Sequence, residues 1–413
     1  LIPRTTTIGS YPAFPLDEDV DYYQKMQEHG VTDELVDPYI WSLEEAIRDF
    51  TASGIEVVST GQTRGDLYSI FLDPKFVRGV GWKGAEAFVS EKVKRISSIR
   101  LNDVRHAREI LPEQFELKEP ITDAYTLAKF AKVTTGAYRD TREFARAINR
   151  EIILPEIEDL QRGNLVSMLQ LDSPSISSES STPDYILDLY EEIAGVAKLP
   201  LVLHACGDTT RLFRLLTKAK VDVLSLDFYH YPRLLEEVAK GNYDQRIGVG
   251  ALDAQSPRIE DVEEVRGVIE RARKALGEER VSFVHPHCGQ RSLDREVAYA
   301  KNANLTLARD DAYFGEAEEA RPHQLQKKEY DRRGYFLVSV RRETREIVAT
   351  FYTYEHKVLK RYKSRQAEKI LQSINEEADT LGISRRHMAY ITLELGRAEE
   401  SLQSPHLLYR QRW

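Results

Sequence analysis

Cysteine is nearly absent: the chain has two among 413 residues. Two cysteines make no disulfide framework, and in a reducing compartment they are expected to be free or bound to a metal. A basic excess is missing as well. The formal net charge is −9, whereas nucleic-acid phosphates call for a basic surface, so no nucleic-acid partner is expected. No run approaches the roughly 20 apolar residues of a membrane span. The first residues, LIPRTTTIGSYP, lack the layout of a signal peptide, so a cytoplasmic protein without a membrane partner is expected. There is no internal repeat and no low-complexity segment. What is there is an ordinary globular composition, 41% apolar and 30% charged. Its length fits one large domain and a smaller one.

Short β-rich runs alternate with amphipathic stretches. Eight runs read as strands: Thr5–Gly9, Ile55–Gly61, Leu117–Thr122, Leu165–Asp172, Leu199–Ala205, Val221–Asp227, Arg246–Asp253 and Arg280–Pro286. Helical patterns lie between most of them, such as TPDYILDLYEEIAGVAK and IEDVEEVRGVIERARKAL. The first of these opens on Thr182-Pro183, an N-cap followed by proline at the first helical position. Strands alternating with helices predict an α/β fold, a (β/α)8 TIM barrel over residues 1–312. The added length before Leu117, including GWKGAEAFVSEKVKRISSIR, is expected as loops and helices. Residues 313–325 read as a charged linker and 326–413 as a small α+β domain. That domain is expected to hold a hairpin turning near Glu343-Thr344, then two helices, SRQAEKILQSINEEADTLG and SRRHMAYITLELGRAEESL.

In such a barrel the functional groups sit at the carboxyl ends of the strands. Those ends supply Ser10, Gln62, Asp123, Asp172, the pair His204 and Cys206, Asp227 with His230, Asp253 with Gln255, and the run His285, His287, Cys288. His204 and Cys206 are two apart, so an extended backbone projects them to one side. A lone buried cysteine is usually a small hydrophobe. Here His-x-Cys ends one strand and the only other cysteine, Cys288, follows another at the same mouth. Histidine, two cysteines and a carboxylate make a tetrahedral zinc set. Asp227, on the adjoining strand, is the candidate carboxylate; His285 and His287 are rival ligands that spacing does not exclude.

These segments resemble a known family. TTTIGSYP resembles the opening of the catalytic barrel in the cobalamin-independent methionine synthase family. VLHACGDTTRLFRLLTKAKVDVLSLD resembles its zinc segment, GVGALDAQSPRIEDVEEV its Ser-Pro-Arg segment, and HPHCGQRSLDREVAYAKNAN the segment with its last cysteine ligand. STGQTRGDLYSIF and ITDAYTLAKF fit two further blocks, and the order agrees over about 1–312. The resemblance implies Zn2+ held by His204, Cys206, Asp227 and Cys288. It places Ile8 and Ser10 in the segment that contacts the carboxylate of a thiol amino acid, and Gln62 and Asp172 where its amino group is held. Some positions depart from the family. Asp227 and Gln62 each stand where it has glutamate, Ser173 replaces the glutamate of its Asp-Glu-Pro, and Gln255 replaces the histidine before Ser-Pro-Arg. The chain starts at the catalytic barrel, as in the short core form of archaea and some bacteria. That form implies a methylated corrinoid, often carried by a protein, as donor rather than a folate. HMAYITLELGRAEESL faintly resembles a small domain of unknown role seen beside archaeal methyl-transfer proteins.

The expected function is methyl transfer to a thiol, homocysteine giving methionine. A free thiol has a pKa of about 8.5 and is mostly protonated at neutral pH, and Zn2+ would hold it as the nucleophilic thiolate. Asp172 and Ser10 are expected to orient the acceptor, with Asp253 or Asp123 near the donor. Three rivals are kept: transfer to another thiol such as coenzyme M, a metal-free uroporphyrinogen-decarboxylase-like enzyme, and a non-catalytic zinc-containing scaffold.

Overall fold

Eight parallel strands form the central sheet: β1 (Arg4–Thr5), β2 (Val57–Val58), β3 (Glu116–Thr122), β4 (Met168–Asp172), β5 (Leu201–Ala205), β6 (Val223–Asp227), β7 (Arg246–Leu252) and β8 (Val281–Pro286). Their order is β1-β8-β7-β6-β5-β4-β3-β2, and a parallel bridge between Thr6 and Val57 closes β1 onto β2. The result is the expected (β/α)8 barrel. The structure, a computed structural model, describes residues 2–12, 38–134, 136–178, 183–315, 335–341, 346–352, 358–366, part of 369–376, and 388–393. Among these, no helix is long and apolar enough to cross a membrane.

The first two strands are shorter than expected because side chains take over from the ladder. Thr6 Oγ1 donates to the Val57 carbonyl at 2.7 Å, Thr7 Oγ1 to Ser59 Oγ at 3.2 Å, and Ser59 Oγ to the Gly9 carbonyl at 3.0 Å. Between β2 and β3 the structure corrects the sequence reading. Val77–Lys83 and Glu86–Arg95 form an antiparallel hairpin there, ahead of a helix over Leu101–Ile110. Ala87, Val89 and Val93 are the buried residues of its second strand.

Helices pack outside the barrel. Val262–Leu276 begins as its sequence suggests, with Asp261 accepting from the Glu264 N–H. Tyr185–Val196 begins later than expected: the Pro183 carbonyl accepts from Ile186 N–H in a preliminary turn, and Thr182 lies outside the described residues. The last barrel helix, Arg295–Phe314, runs two residues into the expected linker, and 316–325 lie outside the described residues.

The chain divides into two compact units, the barrel belonging to the one that includes 42–317. The C-terminal unit carries a four-stranded sheet. Tyr335–Arg341, Glu346–Tyr352 and Val358–Ser364 pair antiparallel in sequence, and Met388–Leu393 joins Tyr335–Arg341 in parallel. The expected hairpin is present, although its turn lies outside the described residues. Lys369, Ile370, Gln372, Ser373 and Glu376 are helical, in keeping with the first expected helix. The second is corrected: Met388–Leu393 is a strand, as its Tyr-Ile-Thr core favours.

Candidate active site

Alternation along the strands builds the barrel interior. Val57, Met168, Val202, Val223 and Phe283 form a small apolar cluster of their own. Two residues further along their strands stand Gln170, His204, Ser225 and His285; two further still come Asp172, Cys206, Asp227 and His287. Alternate positions along a strand share a side, so an apolar floor gives way to polar groups toward the carboxyl-end mouth.

The structure brings His204, Cys206 and Cys288 together: one ring nitrogen and the two sulfurs lie within 4.8 Å of one another. Both cysteines are free and partly accessible. They share a hydrogen bond that pushes the Cys206 thiol up and draws the Cys288 thiol down, the latter helped by the Gly289 N–H. His204 Nδ1 lies 3.0 Å from Ser225 Oγ. Its Nε2 is buried without a hydrogen-bond partner. Burial holds this imidazole well below its ordinary pKa, so it is neutral.

The rival ligands make other contacts. His285 Nε2 is 3.0 Å from Ser225 Oγ and its Nδ1 2.9 Å from the Pro286 carbonyl; burial lowers its pKa to about 3. His287 Nδ1 accepts from the Ala254 N–H at 2.8 Å. Asp227 joins a separate group with His230 and His287. Its Oδ1 accepts from the His230 backbone N–H at 3.1 Å and its Oδ2 lies 3.0 Å from His230 Nδ1. Asp253 Oδ2 is 3.4 Å from His230 Nε2. Burial alone would raise the Asp253 carboxyl, but the N–H groups of Gln255 and Ser256 hold it below its usual range.

Asp172 stands beside the cysteines and raises the pKa of both. It is held by Gln170, whose Nε2 donates to Asp172 Oδ1 at 2.6 Å and to the Ile8 carbonyl at 2.8 Å. Below them Lys118 Nζ donates to Gln170 Oε1 at 2.5 Å and to the Thr7 carbonyl. Burial pushes Asp172 up to about 7 and Lys118 down to about 7. Gln62 is strained, with φ at 45°, and its side-chain amide bonds the Asp172 carboxylate, which favours the charged form of Asp172. Strain of this kind is kept where the surroundings enforce it, often at functional sites. Ser10 fits against Gly289, where an added Cβ would come 2.2 Å from Ser10 Oγ.

Asp123 has a different place from the one expected. It caps the helix Ala124–Phe130, accepting from Thr126 N–H at 2.8 Å, Ser173 Oγ at 2.7 Å and Tyr190 OH at 2.7 Å. Its carboxylate is buried and engaged by these three donors. Sequence reasoning missed Ser225, Gln170 and Lys118; the available signal was a polar residue two or four positions before a strand end.

A family model described as "Cobalamin-independent synthase, Catalytic domain" matches residues 3–312. The chain belongs to that family. Among its relatives is the methionine synthase of Methanothermobacter thermautotrophicus, 31% identical over 321 residues, covering 74% of this chain and 98% of that protein. The methionine synthase of Methanocaldococcus jannaschii is 28% identical over 322 residues, with 74% and 97% covered. The fold is shared with the B12-independent methionine synthase of Shewanella sp. W3-18-1 in complex with selenomethionine. That match has a TM-score of 0.61 at 19% identity, over 75% of this chain and 97% of that one. This member of the family is therefore a methyltransferase of methionine biosynthesis. A second family model, described as "PterinBD-DUF4346", matches residues 330–412.

Proposed function

We propose that the protein moves a methyl group onto the sulfur of homocysteine, with Zn2+ held by His204, Cys206 and Cys288. The observations that carry this are the convergence of a His204 ring nitrogen with the two sulfurs and, on the same ring, a buried Nε2 that has no hydrogen-bond partner. An unpaired buried nitrogen is costly, and two sulfurs beside the imidazole make a soft donor set that suits zinc. Three protein ligands with one position left over is the pattern of catalytic rather than structural zinc. Asp227, the fourth ligand implied by resemblance, is engaged by His230. The proposed set is therefore three, with Asp227 adding negative charge near Cys288. Zinc bound there would supply a deprotonated acceptor sulfur at neutral pH.

The chain's own residues orient the substrates. Asp172, beside the cysteines, and Gln62, which bonds it, would hold the acceptor's amino group, and the Ile8–Ser10 segment its carboxylate. Asp253, past the end of β7, would face the donor. A methylated corrinoid, carried by a partner protein, is the donor this reading favours. Its cobalt leaves with the electron pair and needs no proton, and the amide of Gln255 has no acidic proton to give. A reduced methylpterin is the second reading, favoured by the description of the model matching 330–412. A reducing, cytoplasmic site of action fits two free cysteines kept as metal ligands.

The test offers the zinc-loaded protein homocysteine or coenzyme M, with methylcobalamin or a methyltetrahydropterin as donor. Zinc-dependent methionine formation, lost in Cys206→Ser, supports the proposal. Full activity of metal-free protein, or no product from homocysteine with either donor, overturns it.

A further inference from the structure

We infer that Ser225 and His285 are positioning residues for His204: anchored on the Pro286 carbonyl, they fix its proton on Nδ1 and leave the Nε2 lone pair for a metal. The use of that lone pair rests on the metal reading above; the relay itself does not.

The direction of donation follows from one assignment. The carbonyls of Pro286 and Gly248 both lie against the His285 ring, which has one proton when neutral; we assign it to Nδ1, 2.9 Å from the Pro286 carbonyl, because the Ser225 hydroxyl can serve Nε2. His285 and His204 are buried and, among the described residues, neither has a carboxylate partner, so each ring is neutral. His285 Nε2 is therefore an acceptor, and the Ser225 hydroxyl, 3.0 Å away, donates to it. That uses the hydroxyl's one proton. Ser225 Oγ can then only accept from His204, 3.0 Å on the other side, so His204 Nδ1 carries the proton. The nitrogen left bare is Nε2, the one without a partner.

The fold explains how the relay spans the barrel. His204 and Ser225 are register neighbours on β5 and β6. Ser225 and His285 are separated by β7, which places Gly248 beside Ser225. An added Cβ there would come 2.8 Å from His285 Nε2 and 3.3 Å from Ser225 Cα. Gly248 is the gap through which the His285 ring reaches Ser225. Partners of this kind, behind a metal-binding histidine, commonly set its tautomer and orientation.

The test uses the full chain labelled with 15N-histidine. In metal-free protein, two-bond 15N–1H spectra, with His204→Gln for assignment, should show His204 as the Nδ1–H tautomer. Ser225→Ala and Gly248→Ala should each shift it toward Nε2–H and weaken zinc or cobalt binding by about 10–100-fold. Ser225→Thr, which keeps a hydroxyl, should restore both. An Nε2–H tautomer in the unaltered protein overturns the inference. So does a folded Ser225→Ala protein with unchanged tautomer and metal affinity. If the unaltered protein shows Nδ1–H but binds no metal through His204, the relay stands and the metal reading fails.

Discussion

Asp172→Asn isolates the cost of placing a carboxyl deep in the mouth of the barrel. Burial raises Asp172 to about 7, against about 3.9 in an unfolded chain. Between those values the unfolded chain has released the proton and the folded one keeps it. The folded state then binds more protons, so this group's contribution to stability falls as pH rises. From pH 4.5 to 7 the fall is up to about 3 kcal/mol at 1.36 kcal/mol per unit. Lys118 acts on the other side of neutrality. Its folded value of about 7 lies below the unfolded one of about 10.4, so its contribution recovers as pH rises above 7. The amide introduced by Asp172→Asn would have no proton to lose and could still accept from Gln170. Urea denaturation of metal-free protein at pH 4.5, 5.5 and 7 reads the difference: other carboxylates cancel between the two proteins, and Lys118, which loses the charge that raises its pKa, adds to the variant's relative gain near neutrality. The variant should gain on the unaltered protein by about 2–3 kcal/mol across that range, and its KM for the acceptor should rise. Parallel pH profiles would refute the reasoning.

Other outcomes follow from the same geometry. Cys206→Ser and Cys288→Ser should each lose more metal affinity than the about 10–100-fold of an outer-shell change, measured by chelator competition. Gly289→Ala should displace Ser10, whose Oγ would lie 2.2 Å from the new Cβ; steady-state kinetics should show a raised acceptor KM with metal content unchanged. Asp123→Ala should cost about 1–3 kcal/mol in denaturation through the lost cap and two stranded hydroxyls, while methyl transfer per folded molecule persists. Arg100→Met strips buried Glu119 of its guanidinium partner at 2.6 Å and should destabilise by about 3–5 kcal/mol, visible as a lower thermal midpoint.

The strand ends were readable because period-two spacing is local. His204 and Cys206 point together whatever the rest of the chain does. Cys288 was readable as the one remaining cysteine at another strand end. The relay behind His204 was not, because Ser225 meets His285 only through the register of three strands and the gap at Gly248. Spacing also does not say which nitrogen of a histidine is occupied, so it left His285 and His287 open as rival ligands. Asp123 illustrates a related ambiguity: a carboxylate after a strand can be reactive or a cap, and the cap here uses the backbone N–H of Thr126, which residue type does not mark. In the hairpin, Glu91, Lys92 and Lys94 resemble a helix surface, although Ala87, Val89 and Val93 recur at even spacing on a strand. Between 384 and 402, apolar residues fit helical spacing, but β-formers at 390–392 and the parallel pairing with Tyr335–Arg341 made a strand instead.

X-ray absorption at the zinc edge, with and without homocysteine, tests the central claim most directly. Two sulfur neighbours with at least one imidazole nitrogen, joined by a third sulfur when homocysteine is added, is the predicted result. A shell without cysteine sulfur, or one that homocysteine leaves unchanged, would contradict it.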